Sequence, residues 1–338
     1  MTSATVKPLR RTFIKGSAAA TAALATGFPL IAKGAPAHKL RIATLAPQGS
    51  SWHKAFKQVA REVKEKTDGA IEIKIYAGGV MGDEGAMVRK MRTGQLDGAA
   101  VTNVGLGEIN QQLLMLQLPL LFKSYEQLDR VRSAMSDKFE GLLNTAGFRL
   151  AGWGDVGATY LFSNSPIRVP SDAKATKMWV WDTDPVSKEV MKVTGVNAIP
   201  LGVPDVLPSL QTGVIDAFLN SPYGAIALQW YTKAAYITDL KLAMTIGGSV
   251  MTDAAWAKLS DEQRIILDGI SKDINGKLLK RIRKDNQKAI TALKEKGIEV
   301  VAPEDFGAWK KVADQVRQNL TGSVFDKALV DEMMGHLS

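Results

Sequence analysis

KLRIATLAPQGSSWHKAFKQVAREVKEKTDGAIEIKIYAGG, residues 39–79, is the stretch on which the fold turns. Leu40 to Leu45 reads as a strand. After the Pro47-Gln48-Gly49-Ser50 loop, Trp52, Phe56, Val59 and Val63 recur at helical spacing, which predicts an amphipathic helix over Ser51 to Thr67. Asp68-Gly69 stops it. Ile71, Ile73 and Ile75 then alternate with Glu72, Lys74 and Tyr76, the period of a half-buried strand. Gly82-Asp83 opens a second helix that runs to Met91 and halts at Thr93-Gly94, before a short strand over Ala99 to Thr102. A β-α-β-α-β order predicts an α/β fold with a parallel sheet covered by helices.

The same grammar restarts downstream. Gly147–Gly152, Thr159–Ser163 and Lys177–Trp181 read as strands, and Val186 to Thr194 as a helix. Two segments echo each other: Met91-Arg92-Thr93-Gly94-Gln95-Leu96-Asp97-Gly98 and Leu210-Gln211-Thr212-Gly213-Val214-Ile215-Asp216-Ala217. Each is a helix end, a Thr-Gly stop, an apolar step, an Asp and a strand, at the corresponding place in each half. Two similar lobes are therefore expected. Ser260-Asp261-Glu262-Gln263 is a capping-box start, and the helical pattern behind it continues to about Lys296. A helix that long, with Gly269 and Gly276 inside it, is expected to cross both lobes as a strut and to bend. No long linker separates the halves, which favours several crossings and a hinge. The expected division is residues 38–155 with about 244–283 for one lobe, and 156–243 with about 284–338 for the other.

The amino-terminal 37 residues carry Lys7, Arg10, Arg11, Lys15 and Lys33, no acidic residue, and an apolar run from Ala18 to Ala32 before Ala35-Pro36-Ala37. A cleavable export signal fits, cut near Ala37, and the run is too short to span a bilayer. Arg10-Arg11-Thr12-Phe13-Ile14-Lys15 follows the twin-arginine pattern. Removing those five cations takes the formal net charge from +9 to +4, which gives no case for nucleic acid as a partner. With no Cys there is neither a disulfide framework nor a lipoprotein anchor. A soluble, monomeric periplasmic protein is expected.

Chemistry is sparse. Three His (His38, His53, His336) without Cys make a metal site improbable. There is no G-x-S-x-G elbow, and Gly78-Gly79 and Gly247-Gly248 lack the spacing of a phosphate loop. Asp182 and Asp184, just before Pro185, read as helix caps rather than a catalytic pair. Binding, with no enzymatic activity, metal or cofactor, is the expectation.

The ordered set of motifs resembles the solute-binding proteins of tripartite ATP-independent periplasmic (TRAP) transporters, the DctP-type family. The motifs are Gly79–Glu84 with Arg89–Asp97, Leu118-Pro119-Leu120-Leu121-Phe122, Lys177-Met178-Trp179-Val180, Gly195–Asp216, Asn220, Lys258–Gln263 and Leu293–Gly297. The resemblance implies the two-lobe periplasmic-binding-protein fold, hinge closure on a small-molecule ligand, and delivery to a pair of membrane permease subunits. A hydrophobic-molecule carrier or sensor of the same fold, without a dedicated permease, is the alternative.

The resemblance also implies an Arg on the strand Lys177–Trp181 that clamps a substrate carboxylate. Here that position is Trp179, and where a second basic residue is often found this chain has Gly157-Ala158-Thr159. Indole offers one N–H and no charge, so a contact worth about 1.5–3 kcal/mol per hydrogen bond is missing. Aromatic surface stands in its place. Trp179 and Trp181 share one face of a strand; Trp153, Tyr160, Phe218 and Tyr223 fall near the same strand ends, with Phe218 more in keeping with the core. Asn220 matches a ligand-bonding Asn of the family, and Glu84 and Asn103 match cleft positions. The expected ligand is apolar or aromatic, or a cation held over ring faces.

Overall fold

The computed structural model describes residues 37–337, so the export-signal reading lies outside the described residues. One mixed sheet runs through the protein. Its strands are β1 (His38–Thr44), β2 (Ile71–Tyr76), β3 (Gly98–Thr102), β4 (Phe148–Ser163), β5 (Met178–Trp181), β6 (Ala198–Leu201), β7 (Ala217–Asn220), β8 (Tyr236–Thr252) and β9 (Glu299–Val301). The order across it is β2-β1-β3-β8-β4-β7-β5-β6, with β9 beside β8. The helices are α1 (Ser51–Lys66), α2 (Glu84–Arg92), α3 (Asn103–Ile109), α4 (Tyr125–Ala134), α5 (Ser136–Thr145), α6 (Pro185–Thr194), α7 (Val203–Thr212), α8 (Pro222–Ala227), α9 (Asp253–Trp256), α10 (Asp261–Glu295), α11 (Phe306–Leu320) and α12 (Lys327–Gly335).

The sequence echo is a structural repeat with a hydrogen-bond logic. Gly94 (φ 71°) and Gly213 (φ 72°) both take the left-handed conformation that ends a helix without Cβ strain. Asp97 then accepts the backbone N–H of Arg41 at 2.8 Å, and Asp216 that of Lys177 at 2.7 Å. In return the backbone N–H of each Asp reaches the carbonyl of the same partner, Arg41 at 2.9 Å and Lys177 at 3.1 Å. Each Asp thus seats its own strand against a parallel neighbour, β3 on β1 and β7 on β5.

Two antiparallel strands join the repeats. The segments expected as separate strands at Gly147–Gly152 and Thr159–Ser163 are the ends of β4, a single 16-residue strand. Its partner β8, 17 residues long, was not foreseen as one strand. Register shifts at Leu150/Gly152, Asp155/Gly157 and Thr159/Leu161 explain why: each bulge breaks the alternation by which a strand is read. Gly247 and Gly248 lie in β8, where a Cβ would approach the Val101 carbonyl oxygen to 2.8 Å and the Leu150 and Leu106 side chains to 3.1–3.2 Å. Their purpose is close strand packing.

Helix α10 is 35 residues long and capped as expected: Ser260 Oγ accepts from the N–H of Gln263, whose side chain returns to Ser260 N–H. It is continuous through Gly269 and Gly276, which face open space. It lies along β4 because the strand offers glycines beneath it. A Cβ at Gly152 would sit 2.5 Å from Asn275 Nδ2, and one at Gly157 2.4 Å from Asn286 Nδ2. Asn286 uses the space to bridge elements, accepting from Tyr223 N–H at 3.0 Å and donating to the Val156 carbonyl at 2.9 Å. Among the described residues no helix is long and apolar enough to cross a membrane.

Candidate functional site

The carboxyl ends of parallel strands converge on one cavity of about 260 Å³, with Thr44 of β1, Thr102 of β3, Trp181 of β5 and Asn220 of β7 in its wall. This is where open α/β sheets receive ligands. Of the residues read from the sequence, Trp179, Trp181, Asn220, Glu84 and Asn103 line it.

Trp153, Tyr160 and Tyr223 do not line it. Trp153 packs edge-on against Phe139 (6.0 Å between ring centroids) with the Arg132 guanidinium 5.9 Å from its ring. Tyr160 is buried behind the sheet, and desolvation pushes its phenol up to about 12. Tyr223 instead ties elements together: its hydroxyl accepts the N–H of Ser51 at 2.8 Å, and its ring lies 4.8 Å from that of Trp52. Phe218 is fully buried and stacks on Phe162 at 4.9 Å. Adjacency in sequence to strand ends could not tell these rings apart, because the β4 bulges turn side chains between faces.

The two cleft tryptophans present ring faces, since their N–H groups are engaged. Trp179 Nε1 donates to the Leu201 carbonyl at 3.0 Å, and Trp181 Nε1 to Asp83 Oδ2 at 2.5 Å. The rings stand 5.7 Å apart, and Trp230 meets Trp179 edge-on at 5.1 Å. Such aromatic clusters hold their geometry through ring quadrupoles as well as burial.

Charge is almost cancelled in the wall. No Arg, Lys or His lines the cavity among the described residues. Three acids do, and each is spent within the protein. Glu84, 1 % exposed, accepts from Thr102 N–H (2.7 Å), Thr102 Oγ1 (2.8 Å) and Gly105 N–H (2.7 Å), fastening α2 to the end of β3. Burial nevertheless pushes its pKa up to about 8. Asp184 caps α6, accepting from Val186 N–H (2.9 Å), the Ser187 hydroxyl and Gln117 Nε2 (2.7 Å); burial raises its pKa. Asp155 is held by Arg132 at 2.9 Å and Arg283 at 2.7 Å, both of which also bind Asp129. This four-membered network joins α4, β4 and α10 across separations of up to 154 residues, and no local pattern signals it. Trp52, Phe56, Asn275 and Leu278 also belong to the wall and went unread for the same reason.

What remains free is amide. Asn103, 1 % exposed, leaves its buried Nδ2 without a partner. Asn220 folds Oδ1 back onto Ser221 N–H at 2.8 Å, and its Nδ2 has no hydrogen-bond partner among the described residues. An unsatisfied buried donor costs on the order of 1–3 kcal/mol unless something accepts from it. The wall is therefore mostly apolar and aromatic, with the amides of Asn103, Asn220 and Asn275 and a few hydroxyls set into it.

A sheet with a cleft at the carboxyl ends of its strands is an arrangement suited to holding a solute. Residues 42–322 match the DctP family, described as bacterial extracellular solute-binding protein, family 7, and the chain belongs to it. A solute-binding protein of Chromohalobacter salexigens is 29 % identical over 62 % of this chain, and the match spans 63 % of that relative, a little under two thirds of its length. The 2,3-diketo-L-gulonate-binding periplasmic protein of Escherichia coli is 26 % identical over 83 % of this chain and 86 % of its own. In structure, a TRAP periplasmic solute-binding protein of Citrobacter koseri with bound D-glucuronate superposes with a TM-score of 0.80 at 24 % identity, covering 87 % of this chain and 98 % of that one. The match gives the fold.

Proposed function

We propose that this chain is a periplasmic, non-enzymatic receptor that closes on one neutral, apolar or aromatic solute and hands it to a TRAP-type permease. One observation carries the choice of ligand: the cavity wall contains no cation, and its three carboxylates are already saturated by protein donors. D-Glucuronate and diketogulonate, held by similar proteins, each bear a carboxylate. Buried in this wall, such a group would shed its water with nothing charged to meet it. A cation over the tryptophan faces would have only Asp83 beside it, a carboxylate whose Oδ2 is already taken by Trp181 Nε1.

The hinge we assign lies where β4 and β8 pass between the halves, near Asp155/Val156 on β4, with α10 as the strut beside it. Contacts that cross the cleft support a closed form: Trp181 to Asp83, Tyr223 to Ser51, and Gln117 to Asp184. Calorimetry tests the reading with indole as neutral probe and D-glucuronate as acidic one. Indole should bind the wild type at least tenfold more tightly than glucuronate and lose that advantage in Trp179→Ala. Tighter binding of glucuronate would refute the ligand class.

A further inference from the structure

The cavity is not confined to the cleft. Strand β5 alternates its faces, so Trp179 and Trp181 point one way and Met178 and Val180 the other. Met178 and Val180 belong to a separate apolar cluster with Met191 of α6 and Trp309 of α11. Yet all four line the same cavity, and the lining extends to Val312 and Ala313 of α11. Asp184, Val186 and Ser187, at the carboxyl end of β5 and the first turn of α6, belong to the same lining. Trp309 closes the far end with its N–H already given to the Arg168 carbonyl at 3.0 Å, so the inner chamber presents no polar group there.

We propose that the natural ligand is elongated and amphipathic: an uncharged head with a hydrogen-bond acceptor sits at Asn103 and Asn220, and an apolar tail passes under α6 into the chamber below α11. The inference rests on the neutral-ligand reading above and deepens it, because a compact aromatic would fill only the cleft. The unpartnered Asn103 Nδ2 marks the head end, and the rings of Trp179 and Trp181 flank the neck.

Straight-chain 2-alkanones from 2-butanone to 2-undecanone are suitable probes, each with one carbonyl acceptor and a tail of set length. In calorimetric titrations of the whole protein, Kd should fall about fourfold per added methylene while the tail is entering the chamber. Ala313→Phe, which fills the chamber from α11, should abolish that gain for the long ketones and leave 2-butanone unchanged. Val190→Phe intrudes from α6 and should do the same; it guards against a folding defect in the first variant, as judged by melting temperature. A Kd independent of length in the wild type, with the short ketones binding, overturns the tail chamber while sparing the neutral-ligand reading. So does a length dependence that both variants retain. Binding of no 2-alkanone at all overturns the neutral-ligand reading itself.

Discussion

Glu84 shows how a single residue can be legible in position and opaque in purpose. Its place at a helix start was visible from the sequence, as was its match to a cleft position of the family. Its occupation was not: both oxygens serve Thr102 and Gly105, so it builds the cleft wall and leaves little for a ligand. Burial raises its folded pKa to about 8 from the 4.5 of an exposed glutamate. A raised carboxyl pKa means that the folded state holds the proton more tightly. The associated stabilisation is complete below the unfolded pKa and is lost as pH rises through about 8. Wild-type stability in urea should therefore fall between pH 5 and pH 8.5 by on the order of a few kcal/mol more than that of Glu84→Gln, which cannot titrate. Parallel falls in the two proteins would show that Glu84 is ionised throughout. Trp179 was legible in the opposite sense. By the family resemblance a Trp stands where a clamping Arg is expected, and the structure places that ring in the cavity wall.

At the scale of elements, strands and helices with regular periods were read nearly to their ends. Helix α1 was expected over Ser51–Thr67 and runs Ser51–Lys66; β2 occupies the expected alternation. What failed was β4 and β8, the two strands that pass from one half to the other. Glycines and bulges erase their alternation, and the same glycines admit α10 to within a side chain's width of the backbone. Gly157 is the sharpest case. Its φ of 129° is a conformation that L residues rarely adopt, and a Cβ would press on Asn286, whose amide is fixed by bonds to Tyr223, Val156 and Ile282. Gly157→Ala should cost about 2–4 kcal/mol by strain and overpacking together. Denaturant midpoints at constant m-value would measure it. A loss below about 0.5 kcal/mol would mean that α10 is seated less firmly on β4 than its contacts require.

In the whole molecule, the cavity is distinguished by where charge is absent. Asp155, the one member of its network that lines the cavity, is paired with Arg132 and Arg283, which are paired in turn with Asp129. The resemblance implied a missing clamp, but the sequence could not show that the acids would be consumed or that the cavity lining would continue behind β5. For Asp155 and for the chamber behind β5, partners come from more than a hundred positions away. The most direct test is to purify the protein from its own periplasm and record its native mass spectrum, then extract and identify what it carries. The account predicts one uncharged, largely apolar molecule per chain, absent from Trp179→Ala. A sugar acid or other carboxylate at one per chain would contradict it.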